Sequence, residues 1–199
     1  MDFDHPPADP MPEFAAWFQQ AAEASGLPNP NAMTLATVGS DGHPAARIVL
    51  LKQFDERGFV FFTNRGSRKG EDLAANGVAA LVFHWDPLDR QLRIEGRVEQ
   101  IADEESDAYY ESRPRESRLN AWASDQSKPI ESRSALEGRR AEIDAKFPGE
   151  TAPPRPPHWG GYRVMADRLE FWQGHPFRLH DRVVYQRTSN GWATNRLMP

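Results

Sequence analysis

Two short apolar runs divided by turn residues constrain the fold of this chain more than any other stretch. Ile48 to Leu51 form the first run and Phe59 to Phe62 the second, and both are rich in β-branched or aromatic residues. Asp55-Glu56-Arg57-Gly58 lies between them and supplies residue types that tight turns prefer. The pattern predicts a β-hairpin, and therefore an antiparallel sheet.

A cationic turn follows the second run directly. The segment 64–70, NRGSRKG, precedes a helical pattern, so free backbone N–H groups are expected at a helix N-terminus. Arg68 and Lys69 oppose the helix dipole there unless an anion binds beside them. We interpret this turn, together with Arg47, as a phosphate site, with a solvated basic turn as the alternative. The spacing is not that of a Walker nucleotide loop.

The remaining patterns occur in blocks. Residues 1–10 contain three prolines and are expected to form a flexible arm, which a helix ending near Gly26 follows. Strands are predicted at 33–38, 78–85, 91–101, 162–165, 169–172, 182–187 and 192–197, and helices at 67–76, 103–112, 116–123 and 134–147. Strands, then helices, then strands predict one α+β domain over residues 1–199, with an antiparallel sheet curled into a barrel.

Composition narrows the classes of function. A net charge of −5 argues against general nucleic-acid binding. The absence of cysteine removes thiolate chemistry and disulfides and fits a cytoplasmic protein. No apolar run approaches the roughly 20 residues of a membrane span, and the six histidines lack metal-ligand spacing, so neither a membrane nor a metal is expected. Neither a Gly-x-Ser-x-Gly elbow nor a Gly-x-Gly-x-x-Gly motif occurs.

A second group of anion-binding side chains follows the middle of the chain. Tyr109 and Arg113 are four residues apart, on one face of a predicted helix, and Ser117 comes shortly after. A phenol, a guanidinium and a hydroxyl together suit phosphate oxygens. The alternative is an ordinary solvated helix end.

A third group lies near the C-terminus. Arg178 and His180 alternate about Leu179, so in an extended strand they face the same side, with Arg182 beyond them and Trp172 before them. These groups predict an anionic ligand on that face, although a lone histidine is more often a packed or surface residue.

Nine sequence blocks in order resemble the pyridoxamine 5′-phosphate oxidase family. They cover the chain from about residue 28 to its end: ARIVLLK (46–52), FFTNRGSRKG (61–70), RQLRIEG (90–96), YYESRPRES (109–117), WASDQS (122–127), HWGGYRV (158–164), EFWQG (170–174), RLHDR (178–182) and RLMP (196–199). The resemblance implies an FMN-binding split β-barrel with flanking helices, assembled as a homodimer with FMN at the subunit interface. It also implies oxidation of pyridoxine or pyridoxamine 5′-phosphate to pyridoxal 5′-phosphate, with O₂ reduced to hydrogen peroxide.

The same resemblance assigns residues. For FMN it implies Arg47, Ile48, Val49, Leu50, Leu51, Lys52, Phe62, Thr63, Arg68, Lys69, Gln91, Gln126, Ser127, Trp172 and Arg182. For the substrate it implies Lys52, Tyr109, Arg113, Ser117, Arg178 and His180, with Arg178 and His180 as the catalytic pair.

Three departures from the family pattern stand out. The N-terminus lacks the basic, tyrosine-containing segment that folds over the substrate in some members, Asn120 occupies a place where glycine is common, and His175-Pro176-Phe177 is an unusual lead into RLHDR. Two alternatives also remain open. One is a flavin oxidase of the phenazine-biosynthesis type, and the other is a non-catalytic split barrel that carries FMN or pyridoxal phosphate.

Overall fold

Nine antiparallel strands form one curled sheet in the computed structural model, which describes residues 1–199. The elements are α1 (Met11–Ala24), β1 (Ala32–Val38), β2 (Pro44–Leu50), β3 (Gln53–Asp55), β4 (Gly58–Asn64), α2 (Arg68–Asn76), β5 (Val78–Trp85), β6 (Arg90–Gln100), α3 (Asp103–Glu111), α4 (Arg115–Ala123), α5 (Arg133–Lys146), β7 (Trp159–Gln173), β8 (Asp181–Thr188) and β9 (Gly191–Arg196). The strand order is β2-β1-β5-β6-β7-β4-β3, with β8 added to β7 and β9 to β8. None of the five helices has the length and apolar character needed to cross a membrane.

Strand β7 is the longest element of the sheet and replaces two predicted strands, 162–165 and 169–172. Its first half lies between β4 and β6, and its second half lies between β6 and β8. The pairing of β6 with β7 shifts register between Glu95 and Gly96, opposite the gap between the two predicted strands. This shift lets β7 continue as one strand. A Cβ on Gly96 would lie 1.9 Å from the carbonyl oxygen of Met165, so the close approach of the two backbones there requires glycine.

The core is built on aromatic rings that helix α1 inserts into the curl of the sheet. Phe14 is fully buried and makes edge contacts with Phe54 and Phe59, with ring centroids 4.7 and 4.9 Å apart. Trp17 is buried one turn further on and meets Phe171 of β7 at 5.1 Å. The i, i+3 spacing that predicts helix α1 therefore also selects the face that closes one side of the barrel.

The hairpin predicted from the two apolar runs is wrong in its pairing. Strand β2 pairs with β1 through the turn at 39–42, and β4 pairs with the short strand β3, which the sequence pattern does not reveal. The turn at Asp55–Gly58 is correct, but the chain leaves β2 at Leu51, whose side chain enters the core. Burial of Leu51 separates β2 from β3, so the first run and the turn belong to different hairpins.

Residues 1–10, expected to form a flexible arm, have specific contacts. Phe3 packs against Trp17 with ring centroids 6.4 Å apart, and Asp4 accepts a hydrogen bond from Arg196 at 2.7 Å. Met1 and Phe3 are partly buried against the core, and Pro10 is buried. The arm is thus attached to helix α1 and strand β9 and is not a free segment.

The extended strand predicted around Arg178 is also absent. Residues Pro176–Arg178 form a short 3₁₀ turn, and β8 begins only at Asp181. Arg178 has φ of 65° and Phe177 has φ of 59°, in the left-handed region that side chains other than glycine avoid. The two side chains therefore do not lie on one face of a strand, and the alternation rule does not give the relative orientation of Arg178 and His180.

The aromatic core predicts a large cost for truncating Phe14. We expect Phe14→Ala to lower the free energy of unfolding by about 3–5 kcal/mol, because a fully buried ring that touches several others leaves a cavity. Denaturant titration followed by tryptophan fluorescence measures this change. Ile130→Ala, at a half-exposed loop position, is the control and should shift stability by less than about 0.5 kcal/mol. Equal effects of the two substitutions would contradict the role of Phe14.

Candidate active site

One open cavity of about 940 Å³ lies where β2, β4, α2, α3 and α4 meet. This volume is at the upper end of the range for small-molecule and cofactor sites. Most of the predicted site residues line it: Arg47, Ile48, Val49, Leu50, Lys52, Phe62, Thr63, Arg68, Lys69, Tyr109, Arg113, Ser117, Gln126 and Ser127. Leu51 does not, because its side chain is in the core.

Lys69 is a buried lysine in the cavity that has no carboxylate partner. Its side chain donates to Gln126 Oε1 at 2.9 Å, Ser67 Oγ at 3.1 Å and Thr63 Oγ1 at 3.2 Å, all of them neutral acceptors. The residue is only 8% exposed and forms no ion pair with a carboxylate. Burial, reinforced by the charge of Arg47, lowers the pKa of the Lys69 ammonium. A buried positive charge without a counter-ion indicates a site for an anion.

Arg47 is held beside this ammonium by a short relay. Its Nη1 donates to Thr37 Oγ1 at 2.6 Å, and the Thr37 hydroxyl donates to Asp72 Oδ2, also at 2.6 Å. Burial lowers the pKa of the Arg47 guanidinium, and the Asp72 carboxylate counteracts that shift. Thr37 and Asp72 were not predicted, because they meet across distant segments and match no local motif.

Helix α2 adds a further positive end to the same corner. Ser67 is its N-cap residue, but the Ser67 hydroxyl donates to the carbonyl of Asn64 at 2.7 Å and makes no side-chain cap bond. The amide groups of the first turn remain available beside Arg68 and Lys69. The corner formed by Arg47, Arg68, Lys69 and this helix end is called the first cationic corner below.

Three aromatic rings line another part of the cavity. The centre of the Phe62 ring lies 4.0 Å from that of Tyr109 and 5.2 Å from that of Trp159, and the three rings are nearly parallel. The Arg113 guanidinium lies 4.8 Å from the centre of the Trp159 ring, and its Nη1 is buried without a hydrogen-bond partner. Burial lowers the pKa of Arg113. Trp159 was not predicted as a site residue, although it belongs to the HWGGYRV block.

Arg113 lies just outside the helix that was expected to hold it. Helix α3 ends at Glu111, and Arg113 occupies the turn before α4, with its amide donating to the Tyr110 carbonyl. Lys52 lies 6.0 Å from the centre of the Tyr109 ring, and Ser117 lines the same part of the cavity from α4. Lys52, Tyr109, Arg113 and Ser117 form a second cationic corner, separate from the first.

The remaining predicted residues form a cluster elsewhere on the molecule. Gln91, Trp172 and Arg182 are neighbours across β6, β7 and β8. The His180 ring packs on Trp172 with centroids 4.6 Å apart, and Arg178 is two residues away. None of these five side chains lines the cavity.

The geometry of β7 separates this cluster from the cavity. Trp159, which lines the cavity, begins the strand, whereas Trp172 lies near its other end. A strand of 15 residues extends roughly 45 Å at about 3.3 Å per residue, and local coiling shortens this only in part. One chain therefore does not bring both groups to one small ligand.

Buried polar partners hold Arg182 in the cluster. Glu170 Oε1 accepts from Arg182 Nε at 2.9 Å and from Nη2 at 2.6 Å, and the Met198 carbonyl accepts from Nη1 at 3.0 Å. Arg168 donates to the other Glu170 oxygen at 3.1 Å. Glu170 is only 1% exposed, so its charge depends on these arginines.

Comparison with known proteins gives matches to one family over most of the chain. A family model described as "Pyridoxamine 5'-phosphate oxidase" matches residues 19–147, and one described as "Pyridoxine 5'-phosphate oxidase C-terminal dimerisation region" matches residues 159–199. A pyridoxine/pyridoxamine 5′-phosphate oxidase of Cupriavidus pinatubonensis is 62% identical over 96% of this chain and 89% of its own length. A protein of the same name from Bordetella petrii is 59% identical over 98% of this chain and 92% of its own.

Solved structures agree on the fold. PhzG from Burkholderia lata 383, in complex with tetrahydrophenazine-1-carboxylic acid, superposes with a TM-score of 0.92 at 33% identity and covers 100% of this chain and 96% of its own. A pyridoxamine 5′-phosphate oxidase-related, FMN-binding protein of Nostoc punctiforme gives a TM-score of 0.75 at 19% identity, over 99% of this chain and 100% of its own, and supports the fold alone.

The uncompensated Lys69 predicts a stability gain on its removal. We expect Lys69→Met to raise the free energy of unfolding of the ligand-free protein at pH 7–8 by on the order of 1 kcal/mol, because it removes a buried charge. Thermal unfolding of wild type and variant measures the difference. Lys128→Met removes an exposed lysine paired with Glu71 and is the matched control, with no gain expected.

The pH dependence of this gain has a definite sign. The folded-state pKa of Lys69 lies below its unfolded value, so between the two values the unfolded chain binds more protons and wild-type stability rises with pH. The advantage of Lys69→Met should therefore shrink as the pH rises towards 10.5, the ordinary pKa of lysine. An advantage that stays constant with pH would contradict the buried charge as its cause.

Proposed function

Because this chain belongs to the pyridoxamine 5′-phosphate oxidase family, we propose that its cavity holds FMN and a vitamin B6 phosphate side by side. The reaction is the FMN-dependent oxidation of pyridoxine 5′-phosphate and pyridoxamine 5′-phosphate to pyridoxal 5′-phosphate. The observation that carries the assignment is the presence of two separate cationic corners in one cavity, since cofactor and substrate each bring a phosphate.

The first cationic corner fits the phosphate of FMN. Lys69 lacks a counter-ion, Arg47 is oriented by the Thr37–Asp72 relay, and helix α2 presents uncapped amides. This donor set is the one that phosphate groups select at helix N-termini. Ser127, with φ of 73°, and Gln126, which contacts Lys69, close the corner from the loop after α4.

The residues between the corners fit the remainder of the cofactor. Ile48 is 64% exposed on strand β2, and Val49 and Leu50 line the cavity beside it, so this strand offers apolar contacts to a flat ring system. Phe62 and Thr63 line the cavity from β4. When bound, FMN supplies the redox chemistry by accepting a hydride equivalent, while the protein supplies position and charge.

The second cationic corner fits the phosphate of the substrate. The Arg113 guanidinium lies 4.8 Å from the centre of the Trp159 ring and has one buried, unpaired nitrogen, so a phosphate oxygen would satisfy a donor that now lacks a partner. Lys52, the Tyr109 hydroxyl and Ser117 add donors at the same place. Anchoring the phosphate at this corner holds the non-reacting end of the substrate and leaves the reacting carbon to face the cofactor.

The partner subunit completes each site. The cluster around Trp172 lies at the far end of β7 from the cavity of its own chain, and the matched dimerisation region contains all of its members except Gln91: Trp172, Arg178, His180 and Arg182. We assign Gln91, Trp172 and Arg182 to FMN across a homodimer interface. Arg178 and His180 contact the pyridine ring, where the guanidinium stabilises negative charge and the imidazole orients the reacting group.

Two finer assignments are also part of the proposal. O₂ is the electron acceptor and is reduced to hydrogen peroxide, and the reaction takes place in the cytoplasm, as the cysteine-free composition favours.

A second candidate rests on the Burkholderia lata structure, whose ligand is a tetrahydrophenazine carboxylic acid. Such a substrate carries a carboxylate and no phosphate. Lys52, Tyr109, Arg113 and Ser117 together favour the phosphate substrate, since their combined charge and donor count exceed the need of one carboxylate.

The function predicts a two-stage optical response. Protein loaded with FMN and mixed with pyridoxine 5′-phosphate without oxygen should lose its flavin absorbance at 450 nm, about the usual flavin maximum. Admission of air should restore the absorbance and release hydrogen peroxide and pyridoxal 5′-phosphate. Non-phosphorylated pyridoxine is the control and should bleach the flavin far more slowly. A flavin that stays oxidised contradicts the B6 activity and favours the phenazine-type substrate or a carrier.

The shared site predicts complementation between inactive variants. Arg113→Ala and Arg178→Ala should each be nearly inactive as homodimers at limiting substrate. After joint unfolding and refolding, the mixture should recover about a quarter of wild-type activity, because roughly half of the dimers are mixed and each holds one intact site of two.

The same mixture tests the opposite arrangement. If Arg113 and Arg178 served one site from the same chain, every site in a mixed dimer would lack one of them, and no activity would return. Mixing two preparations of Arg178→Ala is the control for refolding artefacts.

A further inference from the structure

The loop between β7 and β8 is held in a costly backbone conformation. Phe177 and Arg178 are consecutive residues with left-handed φ values of 59° and 65°. The Phe177 side chain is 96% exposed and Leu179 is 73% exposed, so packing within the chain does not stabilise the turn. A conformation of this kind persists only where other contacts over-determine it.

His175 supplies those contacts at the base of the loop. Its Nε2 lies 2.7 Å from Asp181 Oδ2, which joins the start of the loop to the first residue of β8. Asp181 is itself fixed, because β8 places it opposite Gln173 and its other oxygen accepts from Arg196. Since an ionised carboxylate only accepts hydrogen bonds, His175 carries its proton on Nε2.

The backbone of His175 acts on a second histidine. Its amide donates to His180 Nδ1 at 3.1 Å, so that nitrogen must be unprotonated. A neutral His180 then carries its proton on Nε2, the nitrogen on the far side of the ring. The Trp172 ring, 4.6 Å away, fixes the plane of the imidazole. Thus one residue connects the loop to β8 through its side chain and sets the tautomer of His180 through its amide.

We propose that His175 is a positioning residue, which clamps the loop through Asp181 so that Arg178 and the Nε2–H of His180 are presented together. The clamp consists of His175 and Asp181. This proposal rests on the proposed function only in assigning Arg178 and His180 to the substrate. Its structural part, control of the His180 tautomer, stands independently of any reaction.

The test compares three variants with wild type. His175→Ala removes the clamp at a loop residue with a half-exposed side chain. His175→Gln keeps an N–H donor that reaches towards Asp181 and is the conservative rescue. His43→Ala is the matched control, because His43 forms a similar pair with Asp41 in an exposed turn.

Two readouts separate positioning from general damage. We expect His175→Ala to lower kcat on the order of tenfold, since small displacements of catalytic groups are costly, with the KM for pyridoxine 5′-phosphate and the FMN Kd nearly unchanged. In ¹⁵N-histidine NMR spectra of the FMN-loaded protein without substrate, the His180 signals should change from one tautomer to a mixture. His175→Gln should restore both properties, and His43→Ala should alter neither.

A double variant tests the clamp as a unit. Asp181→Asn should weaken kcat in the same direction, and adding it to His175→Ala should cause little further loss, because the shared contact is already gone. Additive losses would overturn the clamp, as would a His175→Ala protein with wild-type kcat or with an unchanged His180 spectrum. If wild type shows no B6 oxidase activity, the proposed function fails, and the tautomer spectra alone decide whether the clamp exists.

Discussion

The continuous pairing of strand β7 sets the separation between the cavity and the cluster around Trp172. The strand bonds to β4, β6 and β8 along its length, so neither of its ends can move alone. It carries Trp159 into the wall of the cavity at one end and Trp172 into the distant cluster at the other. A sheet that curls around helix α1 thereby becomes a rigid spacer between the cavity and this cluster.

Two cationic groups in the cavity lack the partners that buried charges normally have. Lys69 is buried against neutral acceptors, and Arg113 keeps an unpaired nitrogen inside the protein. Each of these features costs free energy of folding, and a bound phosphate would offset that cost. The paired network around Glu170 contrasts with them, because its arginines already have their carboxylate. The uncompensated groups therefore lie in the cavity, whereas Arg168 and Arg182 share the buried Glu170 carboxylate in the distant cluster.

The sequence predicts most of the helices and strands and most of the residues that line the cavity. It predicts less of the strand pairing and of the contacts between distant residues. The periodicity around Phe14 and the NRGSRKG segment identify local features, and both are confirmed as a core helix and a helix-initiating turn. The pairing of β2 with β1 is a choice between competing antiparallel partners, and the short strand β3 gives no pattern of its own. Similarly, the relay from Arg47 to Asp72 joins residues 25 positions apart, and no spacing rule connects them. The left-handed turn at Arg178 depends on tertiary contacts, so alternation predicts the wrong backbone there.

The distance along β7 links flavin binding to association of the chains. If each site draws residues from two copies, FMN binds the dimer more tightly than the monomer, and by reciprocity it strengthens the dimer by the same factor. The apparent affinity for FMN then depends on protein concentration, and dilution releases cofactor and partner together. The amount of FMN-loaded dimer in a cell would then rise more than linearly with the amount of chain. A modest increase in expression would therefore give a larger relative increase in active enzyme.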